Sequence, residues 1–333
     1  MSMIVTRPGL LSTIQDLGRY GYQKHGVIVS GVMDPFAHRL ANILVGNEEK
    51  EATMEITMIG PVIEFERNAL ISLTGGDLTP TMDGVPVPMH RPVWVKKGSQ
   101  LRFGSCAAGC RTYLAAAGGF EIQPVMDSKS TYLRGGIGGY QGRALQAGDV
   151  LSFGHYSERS KQLMKVLSVR CGEKPFEPSA WTISTELLPS YRSNQTIRVI
   201  RGHEYEWFNE EDRHSFFKES FMVTPQSDRM GYRLKGPELS LAEPRELISE
   251  AVAFGTIQVP QGGQPIVLLA DRQTTGGYPR IAQIIAADLP LVAQLKPGDR
   301  MSFTEFSHRE AEKWYLHRER EIRQLKWGIS VQN

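Results

Sequence analysis

Cysteine is scarce in this chain, with three (Cys106, Cys110 and Cys171) in 333 residues. Three thiols cannot all pair, and so few do not make a disulfide scaffold, which points to a reducing cytoplasm. Neither sign of charge dominates: 38 Lys and Arg face 36 Asp and Glu, a net charge of +2, with both signs mixed along the whole length. Without a basic block, neither a nucleic-acid groove nor a membrane-binding surface is expected. Long apolar runs are missing too, and stretches such as Pro265 to Ala270 are strand-sized, far below a membrane span. Arg7, Pro8 and Gly9 break the N-terminus before an apolar segment develops, so no signal peptide is expected.

Several catalytic signatures are also absent. Gly-Lys occurs nowhere, which excludes a P-loop, and Gly135-Gly-Ile-Gly-Gly139 has the wrong spacing for a dinucleotide fingerprint. There is no Gly-x-Ser-x-Gly elbow and no Gly-Ser-Ser run of the amidase-signature type. Cys106 and Cys110 lack a second pair, and His203 and Glu204 lack a His-Glu-x-x-His helix around them, so no metal site is expected.

What is present is a globular composition, 41% hydrophobic, over a length that fits two domains. Glycine (33) and proline (19) punctuate the chain, leaving room mostly for short strands such as Phe65 to Leu73, Val93 to Phe103 and Arg111 to Ala117. One motif recurs as Gly98-Ser-Gln-Leu-Arg-Phe103, Gly148-Asp-Val-Leu-Ser-Phe153 and Gly298-Asp-Arg-Met-Ser-Phe303, a glycine turn followed by an alternating strand. The run-ups Leu145 to Asp149 and Leu295 to Asp299 also match, and a Gly-rich segment precedes each (134–142 and 276–278). This pattern predicts an internal duplication: a first β half over 1–155, a connector over 156–195, a second β half over 196–306, and a C-terminal helix and tail over 307–333. Two helices stand out. Asp34 is placed to cap one that begins at Pro35, carries Phe36, Leu40 and Leu44 on one stripe, and ends at Gly46-Asn47. Ser307 and Glu310 form a capping box for another, which Gly328 is expected to stop. Many strands and few helices make the fold class mainly β, with barrels favoured over a parallel sheet.

Four segments carry more polar groups than packing requires: Ser12 to Tyr20, Ser30 to Pro35, Ser227 to Leu234 and Gly255 to Arg280. Each has a structural reading. Asp16 can pair with Arg19 across one turn, Asp34 is a helix cap, Asp228 and Arg229 can fix a turn, and Asp271 with Arg272 can form a rim salt bridge. The last segment is the densest. Gln258, Gln261 and Gln264 precede the short apolar strand Ile266 to Ala270, and Asp271 to Thr275 follow it. So many donors and acceptors at strand ends point to a ligand.

At these same segments the chain resembles a known family. The stretches are PGLLSTIQDLGRYGY, SGVMDPFAHRLANILVGN, EITMIGP, RTYLAAAGGF, SKSTYLRGGIGGYQGRALQAGD, SDRMGYRLKGPEL and GTIQVPQGGQPIVLLADRQTTGGYPR, spanning residues 8 to about 300. They are similar to the allophanate hydrolase subunit 2 family, which includes the C subunit of 5-oxoprolinase and the antagonist of the sporulation-kinase inhibitor.

The resemblance implies two cyclophilin-like β-barrels and a role in ATP-dependent opening of 5-oxoproline to L-glutamate. It implies a subunit 1-like partner, of the kind that forms the B subunit of 5-oxoprolinase, and a ring-opening protein of the A-subunit type. ATP would be shared with a partner, and the chain would be inactive alone. Two alternatives come with it: a regulatory protein that antagonises its kinase-inhibitor partner, and the carboxyltransferase component of a biotin-dependent urea carboxylase. The one Met-Lys, Met164-Lys165, lacks the second Met of a biotin acceptor, so this chain is expected to carry no biotin. For a lactam substrate, Asp271, Arg272 and Arg229 are the expected catalytic residues, either arginine stabilising charge on the activated oxygen. Gln258, Gln264, Thr274, Gly277, Tyr278, Asp228, Gln15, Asp16 and Ser30 are the expected substrate-binding residues, with Thr274 and Gly276-Gly277 cradling a phosphate. Alanine at Asp271 or Arg272 is expected to lower turnover and spare the fold.

Overall fold

Short strands between glycine turns dominate the computed structural model, which describes residues 2–331. Five α-helices occur among the described residues: α1 (Pro35–Leu44), α2 (Glu158–Cys171), α3 (Glu210–Lys218), α4 (Leu289–Ala293) and α5 (His308–Val331). The chain divides into two units. The first comprises the chain up to Gly18, Asp34–Pro189 and the chain from Glu321 on; the second comprises Arg19–Met33 and Ser190–Arg320. The segment read as a connector over 156–195 contains α2 and the strand Phe176–Pro178, which pairs with Pro92–Val95 of the first unit.

The first unit holds two six-stranded sheets. One runs in the order Val150–Ser152, Ser2–Arg7, Val62–Phe65, Gln100–Arg102, Thr81–Met82, Val85–Pro86. The other runs Phe176–Pro178, Pro92–Val95, Ala69–Asp77, Ala108–Ala116, Thr53–Thr57, Leu11–Gln15. Both feed one apolar core, Met3, Val5 and Phe65 from the first sheet and Ile14, Met54, Leu73 and Leu114 from the second, all at 0% exposure. The expected single strands over 65–73 and 93–103 are each interrupted: Ala69–Asp77 begins after a break from Val62–Phe65, and the turn at Gly98 separates Pro92–Val95 from Gln100–Arg102.

The second unit is built on a closed seven-stranded barrel, in the order Asn194–Arg201, Arg280–Ile284, Thr256–Gln258, Ile266–Leu268, Gly231–Lys235, Ser220–Val223, Arg300–Glu305. Closure is made by the parallel pair Asn194–Arg201 with Arg300–Glu305, which leaves no unpaired edge. Alternation puts Ile197 and Val199 inside with Phe221, Val223, Ile257, Val267 and Met301. α3 closes one side, its buried Phe216 stacked on Phe303 at 4.5 Å. Full burial of a side chain of this size contributes about 1.5–3 kcal/mol.

The recurring glycine motif is a structural repeat. Gly98, Gly148 and Gly298 all have φ between 86° and 93°, where L side chains are strained. Each N–H donates to a strand carbonyl (Phe65, Val5 and Val223), at 2.7, 2.8 and 2.9 Å. The N–H of that same strand residue donates back to the carbonyl just after the glycine (Ser99, Asp149 and Asp299), at 3.1, 2.9 and 2.8 Å. In the two better-matched copies the Asp carboxylate also accepts from the backbone N–H three residues earlier, of Gln146 and of Lys296.

Both predicted caps are present. Asp34 Oδ1 accepts from the Ala37 N–H at 2.9 Å with Pro35 at the first helical position. Glu310 and Ser307 bond reciprocally at the start of α5. Gly328 does not stop α5, which continues to Val331; one glycine inside a 24-residue helix costs only about 1 kcal/mol.

Candidate functional site

In the second unit the loop after Ile266–Leu268 carries Asp271, whose carboxylate is buried against two other predicted residues, Arg229 and Ser30. Arg229 grips it with two nitrogens, Nε to Oδ2 at 3.0 Å and Nη2 to Oδ1 at 3.2 Å, and the carboxylate and guanidinium side chains are 7% and 6% exposed. Ser30 Oγ donates to Oδ1 at 2.7 Å, and Arg229 Nη2 also donates to the Gly31 carbonyl. Ser30 sits at φ 55° and Gly31 at φ 93°, so two successive left-handed residues are held in a buried loop by this pair. The pair thus ties the loop around Ser30 to the barrel. This geometry argues against the expectation that alanine at Asp271 spares the fold, because the substitution would remove the carboxylate that the buried Arg229 guanidinium holds.

Arg272, the next residue, is placed differently. It is half-buried, with Nε to the Val252 carbonyl and Nη1 to the Leu269 carbonyl, both at 3.3 Å, and its guanidinium lies 5.9 Å from the Phe254 ring centre. No carboxylate among the described residues pairs with it. Burial lowers its pKa from the ordinary arginine value, and the neighbouring Tyr20 phenol acts in the opposite sense. The Asp271–Arg272 rim salt bridge is therefore not formed.

Gln258 is buried and donates to the Tyr278 carbonyl at 3.1 Å. Tyr278 and Gly277 line a cavity of about 490 Å³ with Gln261, Phe208 and Arg245. The predicted phosphate cradle is corrected. Thr275–Gly276 is an extended strand paired with Glu250–Ala251, and the Thr274 carbonyl accepts from Val252. Neither Gly276 nor Gly277 has the positive φ of an anion nest. Gln264 is used as a backbone mimic, its amide exchanging two hydrogen bonds with Gly236, and Asp228 Oδ1 caps its own turn through the N–H groups of Met230 and Gly231.

Gln15 and Asp16 belong to the first unit. Asp16 accepts from Gly18 N, Ser128 Oγ, Lys129 N and Ser130 Oγ at 2.5–2.9 Å, so it organises the 128–130 loop. Gln15 is fully buried and donates to Thr13 Oγ1 and the Thr131 carbonyl, while its Oε1 has no hydrogen-bond partner among the described residues. It is part of a polar layer that sequence reasoning missed, on the sheet face opposite the core. Cross-strand register stacks Thr13 on Glu55, Gln15 on Thr53 and Tyr113 on Glu55, and α1 covers them through the Ala37 and Ala41 carbonyls, which accept from Thr74 and Ser72. Tyr113 donates to Glu55 Oε2 and accepts from the Asp34 N–H, both at 2.8 Å. Burial, then the Glu55 charge, pushes the phenol well above its ordinary pKa, so it stays a donor. Burial holds His38 at a pKa of about 4, neutral against Thr53 Oγ1 at 2.9 Å.

Comparison with known proteins settles the family. Residues 25–305 match the model described as carboxyltransferase domain, subdomain A and B. The chain belongs to this carboxyltransferase family. Among relatives of the family, the C subunit of Escherichia coli 5-oxoprolinase is 37% identical over 329 residues, covering 99% of both chains. The Saccharomyces cerevisiae urea amidolyase is 35% identical over 91% of this chain, but the match covers only 16% of that longer protein. Among solved structures, the K. lactis urea amidolyase superposes with a TM-score of 0.85 at 31% identity, covering 96% of this chain and 20% of that one.

Within this carboxyltransferase-family chain, the described residues contain no cluster of three or more His, Cys, Asp or Glu able to hold a metal. No helix among them is long and apolar enough to cross a membrane. Glu204, next to His203, is a buried carboxylate gripped by Arg280 at 2.7 and 2.6 Å, with His203 Nδ1 at 2.8 Å. Burial alone would raise its pKa. The hydrogen bonds from Arg280 outweigh that and hold it at about 2. The residues offered for a phosphate do not fit one, so no step through ATP is derived from this chain.

Proposed function

We propose that this protein is the C-type subunit of an ATP-dependent 5-oxoprolinase, which opens 5-oxoproline to L-glutamate. The observation that carries the reading is the end-to-end match to 5-oxoprolinase C subunits from two bacteria, 99% and 93% of each relative's length. The urea enzymes match as one part of a much longer chain. The chain works in the cytoplasm with a B-type partner and an A-type ring-opening protein, and ATP enters with the partners. It is inactive alone.

A lactam offers one N–H donor and one C=O acceptor, both weakly reactive until the oxygen is activated. In the second unit, Arg272 has donors free for an oxygen-bearing group, and Gln258, packed against the Tyr278 segment, supplies an amide close to the cavity. Asp271, Arg229 and Ser30 contribute by fixing the two loops they join. A second reading, carboxyl transfer to a small amide, is favoured by the TM-score of 0.85 to urea carboxylase; it uses the same groups and differs in substrate.

ADP release by this protein mixed with both partners, with and without 5-oxoproline, tests the reading. Release that needs 5-oxoproline and this protein together supports it. A folded, associated assembly that releases no ADP with 5-oxoproline refutes it, and urea with a biotin carboxylase and carrier is then the assay for the second reading. Association without turnover on any amide supports the regulatory role instead.

A further inference from the structure

The buried and half-buried arginines around the barrel strands sort into two kinds. Arg198, Arg229 and Arg280 each hold one carboxylate with two nitrogens: Arg198 on Asp288, Arg229 on Asp271 and Arg280 on Glu204. These are the fork-to-fork contacts that a desolvated guanidinium requires. Arg272 is half-buried as well but has only the Val252 and Leu269 carbonyls, each at the long distance of 3.3 Å and each through a single nitrogen. A guanidinium has five N–H donors, so most of its capacity is unused, and Nη2 donates to no protein atom among the described residues. Phe254 flanks it at 5.9 Å, and the 66%-exposed Tyr20 acts on its charge. A cation taken partly out of water without a counter-ion is costly to maintain. The cost is offset when an anion binds.

We propose that Arg272 is the anchor for a carboxylate borne by the amide substrate, distinct from the amide group that reacts. This deepens the 5-oxoprolinase reading and rests on it for the substrate's identity. In 5-oxoproline the ring amide and the carboxylate are separate groups on one small ring. An arginine that binds the carboxylate fixes the ring's orientation and distinguishes an amide acid from a neutral lactam of the same size. The planar fork of Arg272 meets both carboxylate oxygens with Nη1 and Nη2, while Nε keeps its bond to Val252. Arg272 is thereby moved from the expected role of stabilising charge on the activated oxygen to that of a specificity-determining residue.

The test compares 5-oxoproline with 2-pyrrolidinone, the same lactam without the carboxylate, on the assembly reconstituted with both partners, for wild type, Arg272→Ala and Arg272→Lys. A charge-assisted bidentate contact is worth a factor of about 10 to 100. The wild type is expected to prefer 5-oxoproline by that factor, and Arg272→Ala to lose the preference through KM more than kcat, with Arg272→Lys between the two. Equal loss of kcat and kcat/KM on both substrates would place Arg272 on the reacting oxygen and overturn the proposal. So would an unchanged preference. If the wild-type assembly fails to turn over either lactam, the 5-oxoprolinase reading fails separately. Equilibrium binding to the assembly without ATP then decides Arg272. Tighter binding of 5-oxoproline than of 2-pyrrolidinone, lost in Arg272→Ala, sustains it; equal binding of the two, or no binding of either, overturns it.

Discussion

Asp271→Ala should destabilise the barrel rather than simply silence a catalytic group. The wild-type carboxylate receives two nitrogens of Arg229 and the Ser30 hydroxyl, and both charged side chains are under 10% exposed, so water does not screen the pair. Removing one partner of a buried pair typically costs about 3–5 kcal/mol, because the remaining charge stays buried. The Ser30 hydroxyl also loses its acceptor, worth roughly 1 kcal/mol. Against a domain stability of about 5–15 kcal/mol, about a quarter of the margin or more is lost. Two units need not unfold together, so a single melting curve is ambiguous. The assay is amide hydrogen exchange over Gly231–Lys235 and Ile266–Leu268, the strands that border Arg229 and Asp271. Exchange there should accelerate by at least a hundredfold in Asp271→Ala, about 2.7 kcal/mol. It should accelerate far less in the double variant Arg229→Met with Asp271→Leu, where no buried charge is left alone. A loss below about 1 kcal/mol in the single variant would refute the reasoning and restore Asp271 to the catalytic candidates.

Stability should also depend on pH in two windows. His38 and His90 have folded pKa values of about 4, lowered chiefly by burial from 6.5. The stability that comes from keeping them neutral is full above pH 6.5 and declines as pH falls towards 4. For His38 it amounts to about 3 kcal/mol at most, and urea titrations at pH 7.5 and 5 should show a flatter loss in His38→Gln. Glu204, held at about 2, contributes above its ordinary pKa of 4.5 and loses that contribution as pH falls from 4.5 towards 2. Glu204→Gln should remove that acid-limb dependence. A Cβ on Gly276 would lie 2.5 Å from Gln258 Nε2; Gly276→Ala should displace the Gln258 amide from the Tyr278 carbonyl and raise KM, which steady-state kinetics of the reconstituted assembly would show. Ser307→Ala should cost about 1 kcal/mol through the lost cap at α5, measured by the thermal midpoint.

Local chemistry was readable from the chain where the contact is local. Asp34 and Pro35 specify a helix start within three residues, and the Gly98, Gly148 and Gly298 turns need a positive φ whatever surrounds them. The polar layer under α1 was not readable as a layer. Alternation in Leu11–Gln15 and Thr53–Thr57 assigns Thr13, Gln15, Thr53 and Glu55 to the face away from the core, and such a face is normally wet. The layer shows itself in α1 only once the structure is known, where eight of ten residues, including His38 and Asn42, are buried. A helix that is covered almost all round must itself cover something. The allocation of Arg19–Met33 to the second unit is likewise invisible locally, because it depends on Met33 packing in the barrel core and on Ser30 reaching Asp271, 241 positions away.

Polar density in the sequence singles out these segments, but it does not by itself separate structural from functional groups. The separating quantity is the hydrogen-bonding capacity left over once the fold is complete. Asp16 receives four donors, Gln264 spends its amide on Gly236, Asp228 spends Oδ1 on its own turn, and Asp271 is gripped by Arg229 and Ser30. A ligand would have to break those bonds first, at about 1–3 kcal/mol for each buried group left unpaired. Arg272 faces no such cost, since its two contacts are long and its remaining N–H groups have no protein acceptor among the described residues. Sequence places Asp271 and Arg272 side by side with equal claims. Their surroundings differ: Asp271 is bonded on both oxygens by Arg229 and Ser30, whereas Arg272 keeps donors that the fold does not use, which is what the proposed anion contact needs.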